Sequence, residues 1–103
     1  MMKEIAKRFL EEKHTAPWIE DPSAEALVDY VYNGGVWDKD ARAKYPAIQA
    51  KQSTEWHMED VLAYLTFIVV QDRTCDGFID KHIANGTVSA LLNRYLELEE
   101  ETI

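Results

Sequence analysis

The chain is poor in the residues that staple, kink or break a fold. It has one cysteine, Cys75, so no internal disulfide can form. Four glycines and three prolines among 103 residues leave little turn chemistry, as a chain made mostly of helices would have. Bases are scarce as well: eleven Lys and Arg stand against nineteen Asp and Glu, a formal charge of −8. That balance disfavours nucleic acid and anionic membranes as partners and suits a basic protein or self-association. The longest apolar run, Val61 to Val70, is ten residues long and interrupted by Thr66, against the roughly 20 that a bilayer span needs. The first residues hold no continuous apolar segment of the kind that directs secretion, so the expected location is the cytoplasm.

What is present reads as one helical domain over 1–103. The hydrophobic fraction of 47% and the charged fraction of 29% are those of a globular protein. A folded chain of this mass should expose roughly 6,000 Å². Met2, Ile5, Ala6, Phe9 and Leu10 recur at helical spacing and predict a first helix. Pro17 breaks the period within Thr15–Glu20, and Asp21-Pro22 offers a cap followed by proline at the first helical position. A second helix then carries Ala24, Leu27, Val28 and Val31 inward and stops at Gly34-Gly35, suited to a left-handed C-terminal cap.

Between Val36 and Gln52 the pattern weakens: Asp38 could cap a short turn through Tyr45, and Pro46 could begin another. Ser53 or Thr54 is expected to cap a long helix running through Trp56 and the apolar run. Being apolar nearly all round, this helix, about residues 55–72, should be central, with the first and last helices packed on it. A strand at Ile68-Val69-Val70 would have no partner run. After Arg73 the turn Thr74–Gly77 leads to a short helix to about Asn85, for which Asp76 is the expected cap. Gly86 ends that helix, and Thr87 is expected to cap a last one bearing Val88, Leu91, Leu92, Tyr95 and Leu96. The fold class is all-α, with five or six helices.

No catalytic constellation, metal set or cofactor motif emerges. Asp72 to Ile83 overlays the twelve-residue calcium loop, yet position twelve is Ile83 where a bidentate Glu is needed, and position three is Thr74. His14, His57 and His82 are far apart in sequence and lack paired metal-ligand spacing. A nucleophilic Cys75 would need a base, and the nearest histidine, His82, is seven residues on, while Asp72, Asp76 and Asp80 oppose a thiolate. The last two helices suggest a helix-turn-helix, but from Thr87 onward Arg94 is the only base. Trp18, Tyr32, Trp37, Tyr45 and Trp56 fall at loops or helix ends, where rings either line a cleft or roof a core.

The segment Leu65–Gly77, with Ala84–Val88, Leu91–Leu96 and the upstream Tyr32-Asn33-Gly34-Gly35-Val36-Trp37-Asp38, resembles a bacterial family of small uncharacterised domains. Asp72-Arg73-Thr74-Cys75-Asp76-Gly77 is the most specific piece. The resemblance implies a helical domain and no reaction, ligand or cofactor. Relatives often carry arginine where this chain has Val70 and an aromatic where it has Thr74, so a site built on two arginines would here keep only Arg73. The expected function is a protein-interaction or binding module, with an unknown protein or a second copy as partner. The rival reading is a small anion-binding protein or enzyme with its pocket near Tyr32, Trp37, Arg73 and Asp76.

Overall fold

The computed structural model describes residues 2–15 and 17–101; Met1, Ala16, Thr102 and Ile103 lie outside them. Within these residues the fold is all-α, built of six α-helices. The stripe of Met2, Ala6 and Phe9 buries one face of α1, Met2–Glu11. A single 3₁₀ turn at Trp18–Glu20 then leads to α2, Pro22–Tyr32. The cap of α2 is the one its sequence announces. Asp21 Oδ1 accepts from the amides of Ser23 at 3.2 Å and Ala24 at 3.3 Å, and from the Ser23 hydroxyl at 2.9 Å.

The connector folds as one helix, α3, Ala41–Gln49, and Pro46 sits inside it instead of starting another. Pro46 cannot donate to the Arg42 carbonyl, but both residues are exposed, so water can serve that carbonyl. A second 3₁₀ turn, Ser53–Glu55, precedes α4, Met58–Gln71. Trp56 therefore lies before the long helix and not within it, and neither Ser53 nor Thr54 caps it. The His57 amide is received by the Asp60 carboxylate at 2.9 Å, which opens α4, and the Trp56 indole N–H is directed to the Ile48 carbonyl at 3.3 Å.

α5, Phe78–Ala84, and α6, Thr87–Glu101, complete the chain. Two expected caps move. Asp72, not Asp76, receives the Ile79 amide at 3.0 Å, and Asn85, not Thr87, receives an amide at the start of α6, that of Thr87, at 3.0 Å. In both cases a glycine with positive φ, Gly77 at 86° and Gly86 at 85°, turns the chain so that a carboxylate or amide further back reaches the open N–H groups.

α4 packs against α2, α3, α5 and α6; α1 packs mainly on α2 and α6, and its Phe9 lines the same core cavity as Leu65, Ile68 and Val69 of α4. The core along α4 holds Val61, Ala63, Tyr64, Leu65, Thr66, Ile68 and Val69. The exposed area of 6124 Å² matches the expectation from mass. Among the described residues no helix is long and apolar enough to cross a membrane.

Candidate functional site

The loop between α2 and α3 reaches α4 through one side chain. Gly34, with φ of 88°, ends α2, and Gly35 lies against Tyr30, whose ring would be 2.5 Å from a Cβ at position 35. The chain then meets Thr66, which is 1% exposed in the middle of α4. Its oxygen accepts from the Asp38 amide at 3.2 Å, and its proton is within reach of the Leu62 carbonyl at 2.8 Å and the Val36 carbonyl at 3.1 Å. Val36 and Asp38 are thus both held, and Trp37 is set between them, 46% exposed.

Asp38 stiffens the same loop. One oxygen accepts from the Asp40 amide at 2.8 Å and the other pairs with Lys44 Nζ at 2.8 Å. The Lys44 ammonium holds this carboxyl below its ordinary value, outweighing the opposing effect of burial.

Trp37, Ala41 and Arg42 on one side and Phe67 and Val70 of α4 on the other enclose a groove of about 290 Å³. Its wall is backed by stacked rings. Tyr45 lies 3.8 Å from Phe67 at 12°, and edge-on to Tyr64 at 5.4 Å. Burial, with Tyr45 beside it, pushes the Tyr64 hydroxyl up to about 12, so Tyr64 stays neutral in the wall.

At the end of α4 the Arg73 guanidinium carbon lies 4.5 Å from the centre of the Tyr32 ring. Among the described residues no carboxylate lies within ion-pair distance of Arg73, so its N–H groups keep their donor capacity. The Arg73 amide donates to the Val70 carbonyl at 3.2 Å, which ties this pair to the last turn of the groove wall. Arg42 reaches over from α3, its Nη2 3.5 Å from Gln71 Oε1.

Of the expected site residues, the fold joins Arg73 to Tyr32, while Trp37 lines the groove without either of them. Asp76 stands exposed in the Asp72–Gly77 turn, with no hydrogen bond to the other three. Arg42 was not singled out in the sequence, because nothing in a weakly patterned connector shows that α3 will lie along α4. Of the other aromatics, Trp56 is core, 6% exposed, and Trp18 and Tyr45 are half-buried against it.

The remaining candidate chemistry stays apart. Cys75 is exposed, while His82 is buried and turned to the Phe78 carbonyl at 2.9 Å. Among the described residues no three His, Cys, Asp or Glu side chains are grouped to hold a metal ion.

A family model matches residues 2–101 with the description family of unknown function, DUF6508. The chain belongs to DUF6508. The match takes in the whole of the groove, the Tyr32–Arg73 pair and the Asp72–Gly77 turn. No curated protein and no solved structure matches the chain. For this member of DUF6508, function is therefore read from the geometry of the groove.

Proposed function

We propose that this DUF6508 chain is a binding module whose working surface is the groove between α3 and α4, and that it takes a small anionic ligand with a flat apolar body. The observation that carries this reading is the Arg73–Tyr32 stack, with Arg73 one turn beyond Val70 of the groove, in a protein of net charge −8. A guanidinium with free donors, close to a groove whose one carboxylate, Asp38, is already paired with Lys44, is a local anion attractor in an otherwise acidic chain. Phe67, Val70 and Trp37 supply apolar contact, and Arg42 supplies a second positive group in the lining. The proposal assigns no bond-making step to the groove.

The test is isothermal titration and thermal shift with a panel of aryl carboxylates and aryl phosphates, on wild type, Arg73→Ala and Trp37→Ala. Binding by wild type, weakened about tenfold or more in each variant with the fold intact, is the expected outcome. A panel without a binder, or a binder indifferent to both substitutions, overturns it.

A second reading keeps the groove but gives it to a protein. Ile19 at 64%, Trp37 at 46% and Tyr32 at 43% are the large exposed apolar side chains among the described residues, and aromatic rings such as the latter two anchor interfaces. Light scattering during size-exclusion chromatography separates the two: a dimer dispersed by Trp37→Ala favours a second copy as the occupant.

A further inference from the structure

His14 has both ring nitrogens on acceptors. Nδ1 lies 2.5 Å from Asp21 Oδ2, and Nε2 lies 2.7 Å from the Phe9 carbonyl oxygen. A neutral imidazole carries one N–H, so it can make one of these bonds and must turn a lone pair toward the other oxygen. Only the imidazolium makes both. The ring is stacked on Phe9 at 3.8 Å and its side chain is 10% exposed, so it has little room to swing away and take its bonds from water.

The two acceptors belong to different helices. The Phe9 carbonyl is in the last turn of α1, the negative end of that helix, where a cation is favoured. Asp21 is the N-cap of α2, its other oxygen engaged by Ser23 and Ala24. We propose that His14 is a proton-operated clasp, whose doubly protonated ring fastens the end of α1 to the start of α2 and whose loss of one proton to water unfastens α1.

The charged groups around it come from three helices. From α2 there is Asp21; burial raises its carboxyl, but the hydrogen bonds from His14, Ser23 and Ala24 outweigh that and leave it below its ordinary value. From α5, Asp80 lines the same cleft as His14, with Oδ1 held by the Trp18 amide at 2.8 Å. From α1, Arg8 and Glu12 pair with each other at 3.6 Å on the exposed side. Asp21 therefore meets the ring directly, and Asp80 lines the cleft that the ring shares.

Opening has a structural consequence. α1 buries Met2, Ala6 and Phe9 against α2 and α6, so an unfastened α1 uncovers apolar surface on both. The doubly protonated ring holds the cover shut, and a ring with one N–H cannot hold both ends.

Hydrogen exchange tests this. The protection of α1 amides is measured relative to that of α4 amides in the same sample from pH 5.5 to 8.5, so that the intrinsic pH dependence of exchange cancels. In wild type the relative protection of α1 should fall about tenfold with rising pH, and in His14→Gln it should be flat. A pH-independent ratio in wild type, or an equal slope in the variant, overturns the clasp. Should His14→Gln not fold, ring ¹⁵N spectra of the wild type decide: two protonated nitrogens at pH 5.5 support the clasp, and a neutral ring there refutes it.

Discussion

The Thr66 side-chain oxygen accepts from the Asp38 amide at 3.2 Å, across 28 residues of sequence, from within the apolar run of α4. Threonine hydroxyls inside helices commonly return their proton to the carbonyl four residues back, here Leu62. The acceptor side of the same hydroxyl is then open, and the Trp37 loop fills it. Thr66→Val keeps the shape and removes the peg, leaving the Asp38 amide without its partner. We expect a loss of about 1–3 kcal/mol in urea unfolding, with increased acrylamide quenching of tryptophan emission. Thr66→Ser should keep the loop in place.

Tyr32 and Arg73 are both exposed, so their stack contributes little to stability. A double-mutant cycle with Tyr32→Leu and Arg73→Ala should give a coupling of about 0.5–1 kcal/mol by urea unfolding. A much larger coupling would mean that Arg73 is a structural anchor and would count against its role in ligand capture.

The adjacent glycines fail differently when given a β-carbon. At Gly34 nothing lies within 4 Å, but φ is 88°, so Gly34→Ala should cost about 1–2 kcal/mol from backbone strain alone. Gly35→Ala drives its methyl into the Tyr30 ring, at a cost of about 1–3 kcal/mol. Replacing Tyr30 with Ala as well should abolish the Gly35 penalty and leave the Gly34 penalty unchanged. Equal penalties in both backgrounds would contradict this assignment.

The Asp38–Lys44 pair sets an acid limit. Asp38 is lowered in the fold from an ordinary value of 3.8, so its contribution is fully present above that value and is lost as pH falls through the lower, folded one. Asp38→Asn removes the titration. The difference in melting temperature between wild type and variant should be largest near pH 6 and shrink as pH approaches 2. A difference constant over that range would show that the carboxylate does not contribute through its charge.

The features legible in the sequence are those set by neighbours a few residues apart. The stripe of α1, the Asp21-Pro22 start of α2 and the Val88–Tyr95 face of α6 need only periodicity and one cap to be read. The errors arise where a distant group competes with a local rule. Thr54 is an acceptable cap for a helix through Trp56, but the indole N–H has the Ile48 carbonyl to satisfy, and the helix begins at His57 and Asp60 instead. Asp76 is an acceptable cap for α5, yet the left-handed turn at Gly77 brings Asp72 to the Ile79 amide first. For the groove, Tyr32, Trp37 and Arg73 stand out by residue type. Arg42 and Thr66 acquire their places only through the packing of α3 and its preceding loop on α4. His14 gave no signal at all, since its two acceptors are a backbone carbonyl and a carboxylate on the far side of a turn.

Asp72 takes over the capping of α5, and the backbone of Cys75 is held by Gln71 and Phe78, so its side chain stands exposed on a fixed turn, two residues beyond Arg73. The protein thus comes with a built-in attachment point. A maleimide dye or nitroxide coupled to its single thiol would report on occupancy of the adjoining groove with no engineered cysteine and no second site to block.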